Sequence, residues 1–341
     1  MSDVLHHAMN RRNLLKTAGA AAAAGAVPGT ILQAAETVAN AGTAGNADRA
    51  ANAAELRAKA KKNLKLGIFT GVYGGLPLDE AARRMREDGF RCVVLQYGFK
   101  DIAFDPFNPD WDVLKKIRTA LEKNDLEVAG LFGYHNVIGP DEAGRKRNEQ
   151  FMNTLINNWE RFGSPIISTE TGTFNTQSQF ADDPKNFTDE GYAAARNALA
   201  SLALKAYRKK AIIAIEGYWR NLISSVDRAE RLFREVDLPS LKLTMDPCNY
   251  YKPEDMSRMD EMLRDMFKRI GQHTVLAHAK DVVMTDKGQE HPAPGLGVLN
   301  YPLYLRLLAE LDREIPLVIE HLSLEDVPRA RDYVKQQFEK L

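Results

Sequence analysis

The chain has 341 residues, with 46 basic and 46 acidic side chains and so no formal net charge. That balance argues against a protein that tracks a phosphate backbone, which needs a basic surface, and no nucleic-acid partner is expected. A hydrophobic fraction of 44% suits a sizeable core in one large domain or two ordinary ones, and two cysteines, Cys92 and Cys248, are too few for a disulfide scaffold.

At the N-terminus Arg11 and Arg12 precede Leu14, Leu15 and Lys16, and an Ala/Gly run continues to Val27. A basic stretch before a short apolar one reads as an export signal. The order R-R-x-L-L-K resembles a twin-arginine signal, which exports folded proteins. Small residues at Ala39-Asn40-Ala41 suit a cleavage site, so residues 1–41 are assigned to the signal. The run is too short and too rich in alanine for a membrane span, so no stable membrane anchor is expected. The mature protein is expected in the periplasm or otherwise exported. Residues 42–62 lack large apolar side chains and read as a flexible linker, with structure expected from 63 to 341.

Short apolar runs then alternate with amphipathic stretches. Strands are predicted over Leu64–Thr70, Cys92–Tyr97, Glu127–Phe132, Ile166–Thr171, Ala211–Gly217, Leu241–Asp246, Thr274–His278 and Leu317–His321. Several are Val/Ile/Leu runs without period-two alternation, as in parallel strands buried on both faces. Phe151, Met152, Leu155, Ile156, Trp159 and Phe162 recur at helical spacing, and so do Met256, Met259, Met262, Leu263, Met266, Phe267 and Ile270. Such a methionine stripe reads as a core-facing helix side. The polar run Gly172–Phe187 is long for a βα loop and reads as a lid or a solvated loop. Eight strands, each followed by a helix, predict an α/β fold, a single-domain closed (β/α)8 TIM barrel. "GVYGGLP" (Gly71–Pro77) is no G-x-G-x-x-G, which weighs against an open doubly wound sheet. In a ring of eight strands Cys92 and Cys248 fall on opposite sides, so two free thiols are expected.

Barrel chemistry sits where strands end. The fifth strand ends at Glu216, the sixth at Asp246, the seventh at His278 and the eighth at Glu320, at intervals of 30, 32 and 42 residues. One βα unit takes about 30 residues, so consecutive units bring these four side chains to one end of the barrel. Converging carboxylates repel and desolvate poorly, and a divalent cation removes that cost. Three carboxylates and one imidazole suit Mn²⁺ first, with Mg²⁺, Co²⁺ or Zn²⁺ as alternatives.

The order Glu, Asp-Pro-x-Asn, His-x-Lys-Asp, Ile-Glu resembles the xylose isomerase-like barrel superfamily, in its sugar phosphate isomerase/epimerase branch. "PAPGLGVLNYPLYLRLL" (Pro292–Leu308) is similar to that family's Pro-Gly-x-Gly loop and following helix. The resemblance implies a metal held by Glu216, Asp246, His278 and Glu320, and a sugar or keto-sugar substrate. It also implies that Glu216 and Glu320 are catalytic, one taking a proton from the carbon beside the carbonyl and the other returning one on the opposite face. Asn249 stands where the epimerases carry a histidine, and Met284 where they carry an arginine, which opens a second reading. His-x-Lys-Asp resembles members that dehydrate inosose-like ketones, so a lyase or hydratase is the alternative, with Lys280 holding a substrate oxygen or instead pairing with Asp281. Substrate contacts are expected from His135, Glu170, Trp219, Asn249 and Lys280, with Tyr218 beside Trp219 also able to stack on a sugar ring. A non-catalytic sugar-binding barrel is a further alternative. An apurinic-site endonuclease shares the superfamily but needs a histidine-rich multi-zinc site, and the chain has seven histidines, two of them (His6, His7) in the signal. Homo-oligomerisation is left open.

Overall fold

The computed structural model describes residues 52–139 and 141–341. The export signal, its cleavage site and residues 42–51 of the linker lie outside the described residues. The rest of the linker is not an extended tether, because residues 52–63 form a helix. Ala60 is fully buried, Leu56 packs on the core, and Arg57 Nη1 donates to Leu341 O at 2.9 Å. One leucine among alanines and lysines leaves no readable period, and packing rather than pattern stabilises so short a helix.

Eight strand–helix units follow. They are β1 (Leu64–Phe69) and α1 (Leu78–Glu87), β2 (Cys92–Leu95) and α2 (Trp111–Lys123), β3 (Glu127–Phe132) and α3 (Glu142–Phe162), and β4 (Ile166–Glu170) and α4 (Asp189–Lys209). The second half holds β5 (Ile212–Glu216) and α5 (Val226–Val236), β6 (Leu241–Met245) and α6 (Met259–Ile270), β7 (Thr274–Ala279) and α7 (Tyr301–Glu310), and β8 (Ile315–Ile319) and α8 (Val327–Phe338). All neighbours in the barrel are parallel, and β8 closes onto β1 through the register Leu64–Ile68 against Ile315–Ile319. Side-chain caps start many of the helices: Asp110, Asp141, Thr188, Ser225 and Asn300 each accept a first-turn backbone N–H, of α2, α3, α4, α5 and α7 respectively.

The strands are buried on both faces, which explains their lack of alternation. Val93, Leu95, Leu317 and Ile319 join the large core shared with the helices, whereas Phe69, Val94, Leu276 and Val318 form a separate cluster. Ser168 of β4 and Thr244 of β6 hydrogen-bond at 2.7 Å across the intervening β5, so both point inward. Gly130 of β3 leaves that space to Leu276, whose Cδ1 would lie 3.0 Å from a Cβ there. Met259 and Met266 are buried and Met256 and Met262 half-buried on the core side, as the stripe predicted. Cys92 on β2 and Cys248 beyond β6 occupy opposite positions of the ring and are buried, free thiols.

Candidate metal centre

Successive side chains alternate faces along a strand, so the residue two beyond an inward-facing one also points inward. Thr244 leads to Asp246, Leu276 to His278, Val318 to Glu320 and Ser168 to Glu170. Each of these lies at or just past the carboxyl end of its strand, and Glu170 is paired in register with Glu216. The pleat therefore lifts five ionisable groups above an apolar and hydroxyl-lined barrel interior.

Glu216, Asp246, His278 and Glu320 offer ligand atoms that all lie within 4.8 Å of one another. His278 Nδ1 is 3.3 Å from Glu216 Oε2, 3.4 Å from Glu320 Oε2 and 3.7 Å from Asp246 Oδ2. Lys280 Nζ lies 2.6 Å from Asp246 Oδ2 and 2.9 Å from Glu320 Oε1. Lys280 thus forms close ion pairs with both carboxylates. Beyond these charged contacts, Asp246 Oδ2, Glu320 Oε1 and His278 Nδ1 are buried with no hydrogen-bond partner among the described residues. The other oxygens are committed. Asn249 Nδ2 donates to Glu216 Oε1 at 2.6 Å, Tyr134 Oη donates to Glu216 Oε2, and Cys248 N donates to Asp246 Oδ1 at 3.0 Å. From α7, Tyr304 Oη donates to the carbonyls of Met245 and His278, and Tyr301 Oη donates to that of Lys280, which fixes the ends of β6 and β7.

The electrostatics are those of buried, mutually compensating charges. Burial opposes the charge on His278 and on Lys280, but the surrounding carboxylates outweigh it and raise both pKa values well above their usual range. Burial likewise opposes ionisation of Asp246 and Glu320, yet Lys280 and His278 hold both below the normal carboxylate range. Glu170 differs. Burial and the charge of Glu216 raise its pKa well above normal, and Asn221 Nδ2 donates to its Oε2 at 3.0 Å. One divalent cation together with Lys280 would neutralise the three remaining carboxylates while leaving His278 uncharged to coordinate through Nδ1. The orphaned buried atoms and the hard, oxygen-rich donor set fit such an ion.

A cavity of about 410 Å³ opens over this cluster, within the range of small-molecule sites. Phe69, Phe132 and Tyr134 line it, and Glu170, Asn249 and Lys280 are in its wall. His135 is not. It is buried, with Nδ1 2.7 Å from Gly133 O and 3.2 Å from Thr169 Oγ1, while its neighbour Tyr134 faces the cavity. Pleat parity accounts for this, because Tyr134 follows inward Phe132 by two residues. Trp219 is also outside the lining, with Nε1 donating to Gln289 Oε1 at 3.1 Å and the Arg220 guanidinium stacked on its ring, while Tyr218 is in the wall. His291, His321, Gln179 and Phe180 complete the lining, and sequence reasoning missed all four because loop courses bring them there. The Gly172–Phe187 loop that carries Phe180 is held by Asn186 Nδ2, which donates to Thr173 Oγ1 and Arg220 O, both at 2.8 Å.

Lys280 does not pair with Asp281. The Asp281 carboxylate accepts from the backbone N–H groups of Val282, Gly295 and Leu299, at 3.0, 3.0 and 2.9 Å. It anchors the Pro-Gly-x-Gly loop, where Gly295 has φ +85° and a Cβ on Gly297 would lie 2.4 Å from Val282 O. Met284, at the position of the epimerase arginine, is exposed on a short hairpin.

The chain is thus a closed parallel α/β barrel with a carboxylate–imidazole cluster at its strand ends that could hold a metal ion. Residues 82–338 match the family described as xylose isomerase-like TIM barrel, and the chain belongs to that family. Residues 8–28 match the twin-arginine translocation pathway signal sequence, and no helix among the described residues is long and apolar enough to cross a membrane. No curated protein matches the chain in sequence. Among solved structures, a xylose isomerase-like TIM barrel protein from Mycobacterium smegmatis in complex with magnesium is similar at TM-score 0.60 and 18% identity, over 82% of this chain and 97% of that one. The apo 3-keto-D-glucoside 4-epimerase YcjR from E. coli is similar at 0.60 and 17%, over 80% and 99%. A D-tagatose 3-epimerase-like protein is similar at 0.62 and 16%, over 81% and 97%. At these identities the likeness is one of fold.

Proposed function

We propose that the protein is a divalent-metal-dependent isomerase or epimerase of a sugar or keto-sugar, moving a proton at the carbon next to the carbonyl. The observation that carries this reading is the pair Glu216 and Glu320. They reach the same imidazole nitrogen from different strands, at 3.3 and 3.4 Å, under a cavity of small-molecule size. The structural relatives named as epimerases support the substrate class. Glu216, Asp246, His278 and Glu320 would hold the ion, Mn²⁺ by preference, and Mg²⁺, Co²⁺ or Zn²⁺ otherwise. When bound, it supplies Lewis-acid polarisation of the substrate carbonyl.

The chain's own residues do the rest. Glu216 takes a proton from the carbon beside the carbonyl, oriented for this by Tyr134 and Asn249. On the other side Glu320 relays a proton to the carbon, taking it from the Lys280 ammonium, whose Nζ lies 2.9 Å from Glu320 Oε1. Asn249 donates to Glu216 and accepts from Lys280 Nζ at 2.8 Å, so it positions both groups and carries no proton itself. Glu170 presents a neutral carboxyl that can donate to a substrate oxygen. A twin-arginine signal and a small-molecule cavity together suit a periplasmic enzyme of carbohydrate metabolism.

Lys280 supports a second reading. Free of Asp281 and lining the cavity, its ammonium can assist departure of a hydroxyl, as a lyase or hydratase of inosose-like ketones requires. Incubation of the metal-quantified protein with keto-sugars and keto-inositols in D₂O separates the readings. Deuterium gain without loss of mass indicates isomerisation or epimerisation, and loss of water indicates the lyase. If nothing exchanges, and Glu320→Gln binds sugar as tightly as the parent, the protein is a non-catalytic sugar-binding barrel.

A further inference from the structure

Between β7 and α7 the chain forms an antiparallel hairpin, Val283–Thr285 with Gly288–Glu290, outside the barrel sheet. Its returning strand is tied to segments beyond three barrel strands. Trp219 Nε1, beyond β5, donates to Gln289 Oε1 at 3.1 Å, and Gln289 Nε2 donates to Tyr251 O, beyond β6, at 2.9 Å. Beyond β8, His321 Nδ1 lies 2.7 Å from His291 O. A carbonyl oxygen only accepts, so His321 donates there and clamps the backbone of His291. His321 has φ +58°, an uncommon conformation for a residue other than glycine, and this contact accompanies it.

These ties hold His291 in the cavity wall, its ring edge-on to Tyr218 with centroids 6.2 Å apart. His291 Nε2 is buried and has no hydrogen-bond partner among the described residues. A buried polar atom left unpaired is costly, so this one marks a bond that a ligand completes. Burial, reinforced by the charge of Lys280, lowers the pKa of His291 to about 4, so near pH 7 the ring is neutral. A neutral imidazole suits a hydroxyl better than a phosphate or carboxylate. Among the described residues lining the cavity there is no arginine, and its one lysine, Lys280, lies between Asp246 and Glu320, whose charges oppose a second anion.

Resting on the sugar reading of the site, we infer that the hairpin is a specificity arm whose His291 Nε2 bonds a hydroxyl of an unphosphorylated keto-sugar. Calorimetric titration of the metal-loaded mature protein with D-fructose, D-tagatose and scyllo-inosose tests it, followed by mono-deoxy analogues and the 6-phosphate of whichever ketohexose binds. His291→Phe keeps a flat ring and removes the nitrogen, and His291→Gln keeps a hydrogen-bonding end. His291→Phe is expected to bind the sugar about tenfold more weakly, the value of one hydrogen bond. One deoxy analogue is expected to bind parent and His291→Phe alike, His291→Gln to recover part of the affinity, and the phosphate ester to bind less tightly than the free sugar. Equal weakening for the sugar and every deoxy analogue, no weakening at all, or a phosphate ester that binds as well as the sugar overturns the inference alone. A parent that binds none of the sugars overturns the sugar reading and this inference with it.

Discussion

His135 shows how a residue's chemistry follows from its face of the chain. One position earlier, Tyr134 meets the cavity, whereas His135 turns into the core against Gly133 O and Thr169. Burial lowers its pKa from 6.5 to about 4. Between these values the unfolded chain binds a proton that the folded protein does not, so stability present above pH 6.5 is lost as pH falls toward 4. The loss attributable to this one group is on the order of 3 kcal/mol. Urea unfolding across that pH range should show His135→Gln with a shallower slope than the parent, by one proton. Parallel slopes would mean that His135 is charged or exposed in the folded state. Lys280 teaches the complementary point: sequence adjacency suggested Asp281 as its partner, but successive residues point to opposite sides, and Lys280 turns to Asp246 and Glu320 instead.

At the scale of elements, strand cores were legible and loop courses were not. Runs such as Cys92–Leu95 and Leu241–Met245 are apolar on both faces, and only a parallel sheet covered by helices buries them fully. The eighth strand starts two residues earlier than expected, with Pro316 second in β8, opposite Lys65. The Pro-Gly-x-Gly loop was recognisable from its residues, but its anchor was not. Asp281→Ala would leave three backbone N–H groups without their acceptor, two of them on the far side of the loop. Each unsatisfied buried donor costs about 1–3 kcal/mol, so roughly 3 kcal/mol or more should be lost overall. Hydrogen exchange should show protection lost from residues 282–299 before the barrel strands. A variant with unchanged protection there would remove Asp281 from this role.

At the scale of the whole molecule, the proposed metal site at the strand ends would couple folding to ion binding. Three carboxylates drawn together by closure of the ring are held in the absence of an ion by Lys280 and the charge on His278. Removing ions with a chelator should therefore lower the melting temperature. Mn²⁺ at a hundred times its dissociation constant should restore about 2.7 kcal/mol, and Glu320→Gln should respond less. A melting temperature indifferent to chelator and Mn²⁺ would count against the metal centre.

The amino-acid sequence by itself determined the apolar strand runs, the barrel and the spacing that brings Glu216, Asp246, His278 and Glu320 to one end. These follow from local pattern and from the nearly constant length of a βα unit, so a linear chain carries them. Tertiary structure alone decided that Tyr134 rather than His135 faces the cavity, that Lys280 serves two carboxylates, and that His291 and His321 enter the wall. Those outcomes depend on loop paths and on contacts between residues far apart in the chain, such as Trp219 with Gln289, which no local pattern encodes.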